Sequence, residues 1–422
     1  MDSDGKLDSA KPVVNTLSSG LISFVLSSQP VFAFAVLVSV LIGAPPLWAV
    51  WLIALAPVLV RLLVTGRVSR RTPLDVPIVL GVIAVVIGFV HGPDRQLAWS
   101  GLNSFLACVL LYYGIVNNAH QRRNYWFFWA SFVLIVSLLL TISIFRGGVS
   151  RTVVFNLWAY SFAANMHWPF ALKGSLNVIG DICAVVLPGL MSAALFRQKA
   201  WLRWCAVLFA VLFVFLMFIS ASGGGWIVVT AALLIVLLRY NVKVFGMTAA
   251  LVAGAVAVLI SFRSTAWERS VFQIASVTGR LNIWKSTIVA LKSDPLLGFG
   301  LGGWWSSVPA NVASEGNPHN AYLLLYSDTG IIGLVALVIA VIVIFKLMSE
   351  IWHSDTNKMG FGIALGIAAG IAAFGLHALV EANTNLPITS GDKNIYFAIP
   401  FIWVWLAFLV VSRDRLTRDK SG

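Results

Sequence analysis

The chain has 422 residues, of which 59% are hydrophobic and only 11% are charged. A water-soluble globular domain carries about 25% charged residues, so the composition excludes that class and indicates a polytopic membrane protein. The formal net charge of +13 would point to nucleic acid in a soluble protein. Here the basic residues lie mostly in loops between apolar runs, as in cytoplasmic loops of membrane proteins, so no nucleic-acid partner is predicted.

Long, continuous apolar runs predict membrane-spanning helices rather than the short alternating strands of a β-barrel. A spanning helix needs about 20 mostly apolar residues, and the sequence offers about twelve such runs. They lie at roughly 22–43, 46–64, 74–90, 99–116, 125–145, 176–196, 204–221, 225–239, 244–262, 321–345, 360–380 and 395–411. We therefore expect an all-α polytopic membrane protein in which residues 1–422 form a single membrane domain.

The distribution of basic residues predicts the orientation of these helices. With both termini in the cytoplasm, nineteen Lys and Arg fall on the cytoplasmic side and ten on the opposite side, which satisfies the positive-inside rule. Two segments on the opposite side are long, about 146–175 and 263–320. Their aromatic residues predict a helical segment at the headgroup level of the membrane lipids. We expect these two segments to form the active-site region.

No metal site or cofactor is predicted. Cys108, Cys183 and Cys205 each fall inside an apolar run, where we expect them to behave as small buried hydrophobic residues. None of them has the spacing of a zinc ligand. The outer segments also lack clustered His, Asp and Glu residues of the kind that hold a divalent cation.

Arg280, in the sequence T-G-R-L-N-I-W-K, is the strongest candidate for binding phosphate. Basic residues are disfavoured on the non-cytoplasmic side, yet five of the ten there lie between positions 263 and 292. A polyanion such as a lipid-linked pyrophosphate would compensate them, because the planar arginine fork binds phosphate through paired, charge-assisted hydrogen bonds. The alternative is an arginine that reaches lipid headgroups or forms an ion pair with Asp294 or Glu315.

His319, in the sequence N-P-H-N-A-Y-L, stands at the outer start of a predicted span. A lone histidine is often only a satisfied hydrogen-bonding residue. Free histidine titrates near neutral pH, however, so an imidazole beside an arginine-rich segment is suited to accept the proton of an attacking hydroxyl. Asn320 and Tyr322 are placed to orient this histidine or to cap the helix that follows.

A glycine-rich run, D-P-L-L-G-F-G-L-G-G, lies between these two motifs. It lacks the Gly-Lys-Ser/Thr ending of a Walker loop. We expect its glycines to allow a tight bend and a close approach of the backbone to its neighbours.

In this order and at this spacing, the three patterns resemble the O-antigen ligase and polymerase superfamily. The matching positions are Gly279, Arg280, Trp284, Pro295, Gly298, Gly300, His319, Asn320, Tyr322, Leu323, Asp328 and Gly330. The resemblance implies a GT-C type glycosyltransferase of the bacterial inner membrane, with its active site on the periplasmic side. It also implies a glycan on undecaprenyl pyrophosphate as the donor and, for a ligase, lipid A–core oligosaccharide as the acceptor.

The resemblance implies roles for individual residues. Arg280 and His319 become the catalytic candidates, the arginine holding the pyrophosphate and the histidine acting as base in a metal-independent, inverting displacement. Trp284, Asn320 and Tyr322 become candidates for binding the pyrophosphate or the glycan.

The sequence departs from the superfamily pattern at one position. Many members carry Ser-Arg-Gly in a middle span, whereas this chain has Ser222-Gly223-Gly224. We expect Arg151 or Arg146 to supply the phosphate contact that the absent arginine would make.

Two other functions fit parts of the sequence. A polymerase of the same superfamily would use the same chemistry on a lipid-linked acceptor. A transporter of lipid-linked glycans should show inverted repeats and polar groups at mid-membrane, and neither is evident. The compact length, without a large additional periplasmic loop, favours a ligase.

Overall fold

A computed structural model describes residues 16–31, 47–119, 125, 128–135, 177–196, 199–220, 223–261, 274–314, 317–357, 360–380 and 398–418. Within these ranges every regular element is a helix. In chain order, helices α1 to α14 are Thr16–Ser27, Leu47–Thr65, Asp75–His91, Arg95–Asn118, Asn177–Leu195, Ala200–Ser220, Gly223–Tyr240, Val242–Ser261, Ile274–Leu291, Trp304–Ser307, Ala310–Ala313, Ala321–Trp352, Phe361–His377 and Ala398–Arg418.

The predicted all-α class is confirmed for the described residues. All the predicted apolar runs coincide with a helix except the first and fifth, which are described only in part. Three helical stretches of the described chain are long and apolar enough to cross a bilayer, namely α4, residues Ala200–Met217 of α6, and α12. Shorter apolar helices include α3, α13 and most of α7 and α8. The total of about twelve spans and the GT-C arrangement remain predictions.

Helix α13 lies at the centre of the bundle and packs against α5, α7, α12 and α14. Its glycines at 362, 366 and 370 form a ridge, because residues four apart lie on one face of a helix. A Cβ atom on Gly366 would stand 2.5 Å from the Cα atom of Gly189 in α5, and one on Gly370 would stand 2.3 Å from the carbonyl oxygen of Val185. The ridge therefore lets the backbones of α5 and α13 touch, as small residues do between membrane helices.

One end of the bundle is held by arginine contacts. The Nε and Nη2 atoms of Arg239, near the end of α7, donate to the carbonyl oxygens of Trp352 (3.1 Å) and Ser354 (3.2 Å). Arg413 of α14 pairs with Glu350 of α12. The loops that the positive-inside pattern assigns to the cytoplasm therefore meet at this end.

The outer faces of several helices are apolar. Exposed side chains on α12 include Val338, Ile342 and Phe345, which suits contact with lipid chains. Cys108 and Cys183 are buried as expected, but Cys205 is exposed on the outer face of α6. The expectation of a buried residue was wrong for Cys205, because a lipid-facing residue is as apolar in sequence as a core residue.

Candidate functional site

The segment from Asn317 to Asn320 forms a compact turn at the opposite end of the bundle. The backbone N–H of His319 donates to the Oδ1 atom of Asn317 at 2.7 Å, so the asparagine closes the turn over Pro318. Asn320 then caps α12, because its Oδ1 atom accepts a hydrogen bond from the N–H of Leu323 at 2.9 Å. The two asparagines thus shape the backbone on either side of the histidine.

His319 has an unusual backbone conformation. Its φ angle is +47°, and among the described residues it is the one non-glycine residue with positive φ. This left-handed region costs an ordinary residue about 1–2 kcal/mol. Strained backbone persists where its surroundings hold it, and it is concentrated at functional sites. The conformation therefore marks this turn as a candidate site independently of any sequence pattern.

Helix α9 lies beside this turn. The indole Nε1 atom of Trp284 donates to the carbonyl oxygen of Pro318 at 2.8 Å. Arg280 lies four residues earlier, on the same face of α9 and about 6 Å further along the helix axis. The structure therefore brings the arginine helix and the histidine turn to the same end of the bundle.

A small hydrophobic cluster fixes α9 in this place. Ile283 of α9 packs with Trp304 of α10, with Val308 in the loop after α10, and with Leu324 of α12. Trp304 is fully buried, and its Nε1 atom donates to the hydroxyl of Thr287 at 3.0 Å. The position of Arg280 relative to the turn therefore depends on packed side chains rather than on a free loop.

The first turn of α12 is tied to the end of α13. The N–H of Ala321 donates to the carbonyl oxygen of Ala378 at 2.9 Å. The hydroxyl of Tyr322 donates to the carbonyl oxygen of Gly375 at 2.6 Å. These bonds hold the residues that follow His319 against the central helix.

The glycine-rich run 294–303 braces α12 where that helix is interrupted. Gly330 has a φ of +61° and a ψ of −160°, which is not helical. The N–H of Phe299 donates to the carbonyl oxygen of Ser327 at 2.6 Å, and the N–H of Ile331 donates to the carbonyl oxygen of Leu296 at 3.0 Å. Backbone groups released by the break are thus paired with protein, as a membrane-embedded backbone requires.

The same run also packs against the α3–α4 hairpin. The N–H of Leu301 donates to the carbonyl oxygen of Gly88 at 2.8 Å. Gly300 has a φ of +78°, and a Cβ atom there would stand 2.5 Å from the backbone nitrogen of Gly92. The glycines therefore serve the expected tight bend and close backbone approach, and this run is a brace of the site.

An acidic residue at the start of the glycine-rich run also holds it in place. The Oδ1 atom of Asp294 accepts a hydrogen bond from the N–H of Leu297 at 3.2 Å. Asp294, considered above as an ion-pair partner of Arg280, thus directs this oxygen to its own loop, whereas Glu315 lies outside the described residues.

The sequence was compared with models of known protein families. Residues 208–338 match the family model described as O-antigen ligase. Residues 208–338 of the chain therefore form a segment of the O-antigen ligase family. No curated protein matches the chain. The predicted resemblance is therefore confirmed, and the family indicates a membrane glycosyltransferase of the ligase or polymerase kind.

The range that matches the O-antigen ligase family contains most of the candidate site. It includes Arg280, Trp284, His319, Asn320 and Tyr322, together with the glycine-rich run. The arginines expected to add a second phosphate contact, Arg146 and Arg151, lie outside the described residues, as does the whole 146–175 segment. Within the described ranges no group of three or more His, Cys, Asp and Glu residues is placed to hold a metal ion.

Sequence patterns missed one residue beside this candidate site. His377 ends α13, is only 4% exposed and lies between the two backbone ties to α12. Its imidazole also faces the first turn of α7, where a Cβ atom on Gly224 would stand 2.7 Å from Nε2. The available signal was a single polar side chain at the end of an otherwise apolar run.

Proposed function

We propose that this member of the O-antigen ligase family is a ligase. It transfers a glycan from undecaprenyl pyrophosphate to lipid A–core oligosaccharide at the periplasmic face of the inner membrane, with both termini in the cytoplasm. The hydrogen bond from Trp284 to the carbonyl oxygen of Pro318 is the observation that carries the proposal. It joins the helix of Arg280 to the strained turn of His319, and the proposal is that one sugar–diphosphate linkage binds between these two segments.

The proposed reaction is a single displacement with inversion at the anomeric carbon. The acceptor hydroxyl oxygen attacks that carbon and gives its proton to the imidazole of His319. The bond from the carbon to the pyrophosphate oxygen breaks, and undecaprenyl pyrophosphate leaves with the electron pair. Arg280 stabilises the charge that develops on this leaving group through its planar guanidinium. The donor carries its own activation, so the proposal needs neither a nucleotide nor a metal ion.

The observed hydrogen bonds refine the roles of three substrate-binding candidates. The indole N–H is the one polar donor of a tryptophan side chain, and in Trp284 it is directed to Pro318. The Oδ1 atom of Asn320 caps α12, and the hydroxyl of Tyr322 is directed to Gly375. We therefore assign all three to positioning the turn, with the ring of Trp284 available to a sugar face. Arg151 or Arg146 is proposed as the second phosphate contact.

The test is transfer in vitro, with the purified enzyme in lipid, an undecaprenyl-pyrophosphate-linked glycan and lipid A–core. Arg280→Ala should lower turnover by roughly 10²- to 10³-fold, as the loss of a charge-stabilising donor does. His319→Asn should lower it by roughly 10²- to 10⁴-fold, because asparagine tolerates the left-handed backbone but is not a base. Full activity of either variant would remove that residue from the mechanism.

Matched controls separate chemistry from folding. Lys285→Ala removes an exposed cation from the same helix as Arg280, and His353→Ala removes an exposed histidine from the opposite end of the bundle. Both should retain transfer close to that of the wild type. His319→Gly should fold at least as well as His319→Ala, because glycine adopts positive φ without strain. Both of these variants should be inactive if the imidazole is the base.

The products distinguish the ligase from its rivals. A ligase joins the glycan to lipid A–core, whereas a polymerase produces longer glycans that are still on the lipid carrier. Deletion of a ligase should remove all capped lipopolysaccharide bands and leave lipid-linked polymer. Single-repeat caps would instead replace the ligase proposal with the polymerase, and an absence of any transfer would favour a transporter.

A further inference from the structure

His377 occupies a place in the structure that the proposed mechanism does not use. It is the one polar side chain of α13, whose other sixteen residues are Phe, Gly, Ile, Ala and Leu. It is also buried, with 4% of its surface exposed. Placing an imidazole inside an apolar bundle is unfavourable unless its polar atoms are used, and ionisable residues within membrane helices usually mark function.

Two neighbouring backbone groups join this histidine to the proposed active site. Gly375 and Ala378 flank His377, and their carbonyl oxygens accept hydrogen bonds from Tyr322 (2.6 Å) and from the N–H of Ala321 (2.9 Å). Ala321 and Tyr322 directly follow the turn that holds His319. A shift of the last turn of α13 would therefore move the start of α12 as well.

The imidazole of His377 also packs against Gly224 in the first turn of α7. A Cβ atom on Gly224 would stand 2.7 Å from Nε2 and 3.1 Å from Cδ2 of the imidazole. A glycine at this position thus allows the ring to approach the backbone of α7 in its first turn, directly after the joint between α6 and α7. Helices α7 and α13 pack together along their length, so the ring sets their separation at this end.

We propose that His377 is a positioning residue of the active site, which fixes the start of α7 relative to the His319 turn. The inference rests on the proposed transferase function, since its effect is on the geometry in which donor and acceptor react. A misplacement of about 1 Å can lower a rate by roughly 10²-fold without changing any reacting group. His377 thus acts through Gly224 and through the ties of α13 to α12.

The test is a pair of substitutions on the two sides of the contact between His377 and Gly224. Each variant is assayed by transfer in vitro from the undecaprenyl-pyrophosphate-linked glycan to lipid A–core. His377→Ala removes the ring, and Gly224→Ala adds a methyl group that collides with it. Each should lower turnover at saturating donor by about 10- to 100-fold. The double variant should be no worse than the poorer single variant, because residues in contact are not additive. His377→Gln, which keeps a polar atom near the position of Nε2, should recover much of the turnover.

Two controls keep the outcomes separate. Gly246→Ala adds a methyl group on α8, where nothing lies within 4 Å, and should behave as the wild type. Turnover is counted per folded molecule, from the thermal melt and elution profile in detergent. A lower melting temperature with unchanged turnover per folded molecule, or multiplicative losses in the double variant, would overturn the positioning role. An inactive wild type would instead refute the proposed function, whereas an active wild type with fully active His377 variants would refute this inference alone.

Discussion

Replacing Trp284 with phenylalanine tests the contact on which the site depends. The substitution keeps an aromatic ring but removes the Nε1 donor that lies 2.8 Å from the carbonyl oxygen of Pro318. Because Pro318 is buried, water does not readily replace the lost donor, and the carbonyl oxygen is left without this hydrogen bond. A buried group deprived of its hydrogen bond costs about 1–3 kcal/mol. Because 1.36 kcal/mol corresponds to a factor of ten, the population of the active turn should fall by about 5- to 150-fold.

The measurement is the rate of transfer in vitro for Trp284→Phe, with its amount and melting temperature recorded in parallel. We expect a rate lower by that factor and a melting temperature close to that of the wild type, because the loss is confined to one turn. Trp201→Phe is the matched control, since Trp201 is 60% exposed on α6. A Trp284→Phe enzyme within about twofold of the wild-type rate would show that the turn does not depend on this bond.

Three further predictions follow from the glycines and from the chemistry of the site. Gly366→Ala should destabilise the bundle by about 1–3 kcal/mol, because its Cβ atom would stand 2.5 Å from Gly189; an unchanged melting temperature would contradict the packing. Gly254→Ala, with nothing within 4 Å, is its control and should leave stability equal or slightly higher. Gly330→Ala should cost more than about 1 kcal/mol, since its Cβ atom would stand 2.1 Å from the carbonyl oxygen of Leu296; normal yields of active protein would argue against the break. A chelator such as EDTA should leave the transfer rate unchanged, and a loss restored by Mg²⁺ would show that the mechanism needs a metal ion.

The all-helical class was predictable from sequence, but the interruption of α12 was not. The apolar run that becomes α12 is long enough to cross a bilayer, and length is the property that a hydropathy pattern measures. Gly330 sits in that run without any local sign of a break, because glycine is common in membrane helices. The break exists because Leu296 and Phe299 supply hydrogen-bond partners from a distant loop. A tertiary contact of this kind leaves no periodic trace in the sequence.

The candidate site could be proposed from the sequence as a set of residues, but its geometry could not. Arg280 and His319 were placed on the same side of the membrane by the order of the spans. The contact between their two segments could not be predicted, because a tryptophan four residues after an arginine also fits a side chain at headgroup level. The turn that contains the positive φ of His319 is closed by the hydrogen bond from the His319 N–H to the side chain of Asn317. It is also held by the hydrogen bond from Trp284 of α9 to Pro318. Histidine itself is not a strong signal for a left-handed backbone.

His377 shows what a pattern search overlooks. A single polar residue at the end of an apolar run looks like the point at which a helix leaves the membrane. Its importance comes from the neighbours of α13 on two sides, Gly224 on α7 and Tyr322 on α12. Neither neighbour is close in sequence, so the residue becomes a candidate only when the packing of the helices is known.

The bracing of α12 by the glycine-rich run makes the length of that run as important as its composition. Leu296 and Phe299 are fixed to Ile331 and Ser327, on the two sides of Gly330. One residue inserted between Leu296 and Phe299 would move one of these bonds out of register, and one residue deleted would do the same in the opposite direction. Epitope tags and other insertions in this part of the chain should therefore avoid residues 294–303. The exposed position at Ser314, beyond the end of α11, offers a place where added length does not enter the brace.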